Sequence, residues 1–286
     1  MAGGTNCVSE YLGRAGMKNT ADFDRFRLVV FDLDGTLVDE NLNTTEEDLE
    51  GIRKARQRGL AVTLATGRTF QSALPYVRKL GIDLPLILCN GAAIVDPETG
   101  EILYQEMLPG NEACLLVEQA AEADLDCLLY TDPLSDCPTV FRLTPLLADF
   151  ILLEGLHWVE LNVFSKIMDS HPPIKVQIVG YDEEKLIGFQ RRISGELPGL
   201  SVFKVQSDYL EAVPAGVSKG SALHRLSGLL GIPPSQIVAF GDSVNDRELL
   251  AAAGVGIAMT DAPEELKEAA DRIAPSVAAG LAELWS

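Results

Sequence analysis

The chain is poor in positive charge. Lys and Arg number 23 against 42 Asp and Glu, a formal net charge of −19 over 286 residues. Such a surface repels phosphate backbones and anionic bilayers, so neither nucleic acid nor a membrane is an expected partner. It repels phosphorylated metabolites too, so any site for one needs local cations. Cysteine is scarce: Cys7, Cys89, Cys114, Cys127 and Cys137 are scattered with no C-x-x-C pair. That argues against a disulfide or zinc framework and for reduced thiols in a cytoplasmic protein. The three histidines, His157, His171 and His224, have no metal-ligand spacing. No apolar run approaches the roughly 18 residues of a membrane span. Residues 1–23 lack the apolar stretch of a secretory signal and are expected to form a loose tail, with Met17 a plausible second start. What remains is an ordinary globular mix, 47% hydrophobic and 23% charged, long enough for one large domain or two smaller ones.

The stretch that organises the chain is Leu28 to Leu37, LVVFDLDGTL. Four apolar residues read as a buried strand, which stops at two carboxylates, Asp32 and Asp34, followed by Gly35 and Thr36. Desolvating carboxylates costs several kcal/mol, so two at a buried strand's end call for a compensating cation or partner. A plain Asp-Gly turn is one reading. A calcium loop is a second, and it fails: its glycine position holds Leu37 and its closing glutamate position holds Asn43. A nucleophilic aspartate at the end of a central parallel strand is the third.

The rest of the chain has to choose between these. Thr44 and Glu47 have capping-box spacing for a helix that Gly59 closes. A strand at Leu60–Ala65 ends in Thr66-Gly67-Arg68, a helix runs to Leu80, and Leu86–Cys89 is a third strand ending in Asn90-Gly91. Continuous apolar strands alternating with helices predict a parallel sheet, and polar residues at successive strand ends predict its binding edge. From Ala92 the rhythm changes to hairpins and helices, so 92–206 is expected to be an inserted α+β domain. The rhythm returns at Tyr209–Val213. Ser218-Lys219-Gly220 then opens a helix, and the strand Ile237–Phe240 ends in Gly241-Asp242-Ser243-Val244-Asn245-Asp246. Residues 24–91 and 207–286 would thus form one α/β core.

Asp32/Asp34, Thr66, Lys219 (in Gly216-Val217-Ser218-Lys219-Gly220) and the Asp242–Asp246 cluster, in this order, resemble the haloacid dehalogenase (HAD) superfamily. The long insert is similar to that of its Cof-type branch, with a C2B-type cap over a Rossmann-like core. The resemblance covers roughly residues 27 to 275. It implies a phosphatase acting on a small phosphomonoester, a sugar phosphate first, through an aspartyl-phosphate. Asp32 would be the nucleophile and Asp34 the general acid/base. Mg²⁺ would be held by the Asp32 and Asp242 carboxylates and the Asp34 backbone carbonyl, with Asp246 acting through water or orienting Lys219. The Leu33 and Gly67 amides, Thr66, Lys219 and Asn245 would hold the phosphoryl group, and Arg68 and Asn90 are candidates for substrate contact.

Departures lie at Thr260-Asp261, where Cof-type relatives usually carry Gly-Asn, and at Ala274-Pro275-Ser276-Val277, which lacks their usual Asn. Both concern substrate fit. Competing readings are a sugar-phosphate mutase, which needs the same two aspartates, and a non-catalytic ligand-binding or regulatory protein, which has no need of the second. A monomer or a homodimer is expected.

Overall fold

A computed structural model describes residues 25–39, 42–140, 142–154, 156–160 and 172–285. The expected tail, Met17, Cys7 and His171 lie outside the described residues. The chain divides into two compact units; the second comprises Arg68–Ser72 and Tyr104–Val217, and the first the remainder.

The first unit is built on a five-stranded parallel sheet. Its strands are β1 (Leu28–Phe31), β2 (Ala61–Leu64), β12 (Ile237–Gly241), β13 (Val255–Met259) and β14 (Arg272–Ala274), in the order β14-β13-β12-β1-β2. β1, β2, β12 and β13 are buried at every residue, which is why they read as unbroken apolar runs with no alternation. β3 (Leu86–Leu88) lies beside the end of β2, with a parallel bridge from Ile87 to Ala65, and forms a separate three-stranded sheet with β4 (Ala93–Val95) and β5 (Ile102–Gln105). The hairpin at Pro97–Gly100 is present, closed by Asp96 N–H on the Glu101 carbonyl at 2.9 Å. Residues as far as Leu103 belong with the core unit, so the insert begins later than Ala92.

Helix ends follow their side chains. Ser218 caps the helix Lys219–Leu230 in a reciprocal box with Ser221, and Gly231, at φ +62°, ends it left-handed. The helix Glu46–Gln57 is capped by Thr45, not Thr44: Thr45 Oγ1 accepts from Asp48 N–H at 3.1 Å. The two threonines are adjacent, and local spacing does not separate them.

The second unit carries a six-stranded sheet in the order β10-β11-β9-β6-β7-β8. These are β6 (Asp126–Tyr130), β7 (Thr139–Val140), β8 (Val159–Glu160), β9 (Lys175–Val179), β10 (Leu200–Lys204) and β11 (Tyr209–Pro214). Leu116 and Ala120 of the helix Gly110–Glu122, and Leu186, Phe189 and Ile193 of the helix Glu183–Glu196, pack with Leu129, Val176, Ile178 and Leu210 of the sheet. Lys175 Nζ, buried, donates to Glu211 Oε1 at 2.7 Å and lies 4.6 Å from the Tyr130 ring centre. β11 corrects the sequence reading of Tyr209–Val213 as a core strand. It pairs antiparallel with β9 and β10, so the return to the core falls at Val217–Ser218 and not at 206–207. An apolar strand looks the same whichever sheet it joins; the pairing partner decides.

Candidate active site

The register brings the motif-bearing strand ends level. Phe31 of β1 pairs with Phe240 of β12 and with Leu64 of β2, so Asp32 emerges between Gly241-Asp242 and Ala65-Thr66. Asp32 N–H still donates to the Phe240 carbonyl at 2.9 Å, which fixes its backbone to the sheet. The chain then folds tightly: the Leu33 carbonyl accepts from the amides of Leu37 and Val38, and Gly35 N–H donates to the Val38 carbonyl, each at 2.9 Å. Leu33 is buried, while Asp34 is exposed on the turn. Gly35 has φ +83°, and a Cβ there would lie 2.2 Å from Asp242 Oδ2, so only glycine lets the turn come this close to the second aspartate.

Asp32, Asp242 and Asp246 form the acidic cluster, with one carboxylate oxygen from each lying within 4.8 Å of the others. Lys219, 2% exposed, enters from the start of its helix and donates to Asp32 Oδ1 and Asp246 Oδ1, both at 2.6 Å. The other Asp246 oxygen accepts from the Asp242 and Ser243 amides at 3.1 Å. Asp246 is therefore spent on Lys219 and on the shape of its own loop, whereas Asp242 is oriented through Oδ1 by Thr36 Oγ1 at 2.8 Å.

The charges are out of balance. Burial first, and Asp246 next, raise the Asp32 carboxyl well above the usual aspartate range, against the pull of Lys219. Asp242 is raised for the same two leading reasons, with the Thr36 hydrogen bond opposing. Burial works against the Lys219 charge, yet Asp246 and Asp32 outweigh it and hold the ammonium protonated far above its ordinary range. Three carboxylates share one ammonium, and the donors are hard oxygens. A divalent cation fits this cluster by charge and by donor type.

A short turn at Cys89–Gly91 completes the arrangement. Thr66 is fully buried; its N–H donates to the Ile87 carbonyl at 2.9 Å and its own carbonyl accepts from Asn90 N–H at 3.0 Å. Asn90 Oδ1 accepts from Asn245 Nδ2 at 3.0 Å. Thus Asn245 and Thr66 are joined through Asn90. Gly67 is half-buried beside Thr66, and Arg68 falls to the second unit. Thr36, Ser243 and the Asn90–Asn245 bond were missed by sequence reasoning. Thr36 had a signal, standing two residues after Asp34; the Asn pair, 155 positions apart, had none.

Fold and site together define a hydrolase whose carboxylates stand at the edge of a parallel α/β sheet. Residues 29–283 match the family model of haloacid dehalogenase-like hydrolases. The phosphatase YwpJ of Bacillus subtilis is 29% identical over 270 residues, spanning 86% of this chain and 94% of its own length. An HMP-PP phosphatase of Serratia proteamaculans is 31% identical over 247 residues, 85% of this chain and 86% of its own. Among solved structures, a haloacid dehalogenase-like hydrolase from Bacteroides thetaiotaomicron superposes with TM-score 0.76 at 28% identity, covering 91% of this chain and all of that one. The chain belongs to the haloacid dehalogenase-like hydrolases, as a Cof-type phosphatase with an α/β core and an inserted cap. No helix among the described residues is long and apolar enough to cross a membrane.

Proposed function

We propose that the protein is a Mg²⁺-dependent phosphatase hydrolysing a small phosphomonoester, such as a sugar phosphate, through an aspartyl-phosphate. The observation that carries this reading is the buried bridge from Lys219 to Asp32 inside the acidic cluster. It supplies a fixed cation beside the one carboxylate that the strand end and the Phe240 carbonyl orient together. The Asp32 oxygen attacks phosphorus in line, and the bond to the leaving oxygen breaks as Asp34 delivers a proton to it. Asp34 then takes a proton from water, whose oxygen attacks the aspartyl-phosphate, releasing phosphate, freeing the Asp32 carboxylate and leaving Asp34 protonated for the next cycle. The exposure of Asp34 suits a group that trades protons with leaving group and water. Lys219, Thr66, the Leu33 and Gly67 amides and Asn245 carry the charge on the remaining phosphoryl oxygens. Asp32, Asp242 and the Asp34 carbonyl are the proposed holders of Mg²⁺, which when bound neutralises charge on the phosphoryl oxygens. Asp246 orients Lys219. Arg68 and Asn90 are the proposed candidates for substrate contact, and Asn90 also accepts from Asn245. Domain limits of 68–72 with 104–217 for the cap are proposed in place of 92–206.

Release of phosphate from a panel of sugar phosphates, flavin mononucleotide, pyridoxal phosphate and p-nitrophenyl phosphate tests this reading. Turnover that needs Mg²⁺ and stops with chelator is expected; a folded protein inert across the panel would move the weight to the mutase or the non-catalytic reading.

A further inference from the structure

Asn90 is held in a conformation that few residues tolerate. It has φ +56° and ψ +30°, and the preceding Cys89 is also left-handed at φ +51°. Two consecutive non-glycine residues in this region cost energy that the surroundings must offset. The surroundings are tight: Asn90 is 2% exposed, and a Cβ on Gly91 would lie 2.1 Å from the Ser218 carbonyl oxygen at the cap of the Lys219 helix. The turn therefore touches the start of the helix that carries Lys219 and binds two further motif loops. Asn90 N–H ties down the Thr66 carbonyl at 3.0 Å, and Asn90 Oδ1 takes Asn245 Nδ2 at 3.0 Å. Asn245 Oδ1 is buried with no hydrogen-bond partner.

We infer that Asn90 is a positioning residue of the phosphate site, which fixes the Asn245 amide by its side chain and the Thr66 loop by its backbone. The strained turn sets where both groups point. The inference rests on the phosphatase reading for what the groups hold, though not for the bond itself.

The test uses Asn90→Gly, Asn245→Ala and the double variant in the full chain. Glycine keeps the left-handed backbone and removes only the side chain. In proton–nitrogen correlation spectra, the Asn245 side-chain amide, assigned by its absence in Asn245→Ala, is expected to move in Asn90→Gly. Each single variant should lower kcat/KM and weaken inhibition by inorganic phosphate about tenfold, the worth of one positioned hydrogen bond. The double variant should be no worse than the less active single one, because the Asn90 side chain acts only through the Asn245 amide. An Asn245 amide signal indifferent to Asn90→Gly, or losses that multiply in the double variant, would overturn the inference. A wild-type protein that releases no phosphate would instead reject the phosphatase reading, and the spectra would still decide the role of Asn90.

Discussion

Lys219 and Asp32, 187 positions apart in the chain, meet as a buried ion pair with 2.6 Å between Nζ and Oδ1. The pair joins the first strand of the core to a helix that begins beyond the whole inserted unit, so the site exists only when the chain has closed on itself. Lys219 also opposes burial and Asp246, which otherwise raise the Asp32 carboxyl. Lys219→Met removes the charge and keeps most of the volume. Turnover is expected to fall roughly 10²–10³-fold, the usual loss on removing one oxyanion-stabilising donor. With its lowering partner gone, Asp32 should hold its proton to higher pH. The acid limb of the kcat/KM profile should therefore shift upward in pH, as pH–rate measurements would reveal; an unmoved limb would separate Lys219 from the nucleophile.

Metal and proton compete for the same cluster. Asp32 and Asp242 both sit above the ordinary aspartate range, with burial the foremost cause and Asp246 the next. A carboxyl raised in the folded state contributes stability that is complete below its unfolded value and is lost as pH rises through its folded value. The metal-free protein should thus lose stability at this site as pH climbs from about 4, the unfolded aspartate value, through the raised range. Mg²⁺ takes the place of the lost protons, so the gain in Tm on adding it should grow with pH over that window. Melting curves with Mg²⁺ and with chelator at several pH values check this. A gain equal at every pH would contradict it.

Gly35→Ala tests the closeness of the turn to Asp242. A methyl group there would stand 2.2 Å from Asp242 Oδ2 at φ +83°. The variant is expected to lose about 1 kcal/mol or more of stability from the backbone alone, and to displace Asp242. Denaturant unfolding measures the first effect and Mg²⁺ titration the second; wild-type affinity for Mg²⁺ would show that Asp242 tolerates displacement or is not a ligand.

Thr36→Val removes the hydroxyl that orients Asp242 and little else. Loss of such an outer hydrogen bond typically weakens metal binding about 10- to 100-fold. A Mg²⁺ activation curve for turnover should shift to higher concentration by that factor, with kcat restored at saturation. A lowered kcat that excess Mg²⁺ does not restore would assign Thr36 another role.

Much of this site was legible in the sequence for one reason: a parallel strand buried on both faces is an unbroken apolar run, so the polar residue that ends it stands out. Asp32, Thr66 and Asp242 were found that way, and Lys219 through the Ser-Lys-Gly that opens its helix. The same feature misled at Tyr209–Pro214. That strand is also apolar and buried, but its partners are β9 and β10, and pairing is not written in local composition. The hairpin after Asn90 was legible, yet not the unit to which it belongs. Asn90 read as a strand-end candidate for substrate contact, with no sign of a second bond. Its bond to Asn245 depends on a left-handed turn and on a contact across 155 residues, neither of which leaves a periodic trace.

The most direct test of the account is phosphate release by the wild-type protein and by Asp32→Asn, each with Mg²⁺ and with chelator, followed by mass analysis of rapidly quenched enzyme for a covalent phosphoryl group. The account predicts Mg²⁺-dependent release and a transient phosphoryl adduct in the wild type. Asp32→Asn should lose roughly 10³-fold or more with no adduct, as expected when a nucleophile is removed. An Asp32→Asn protein that is folded and still turns over in Mg²⁺ at a comparable rate would contradict it.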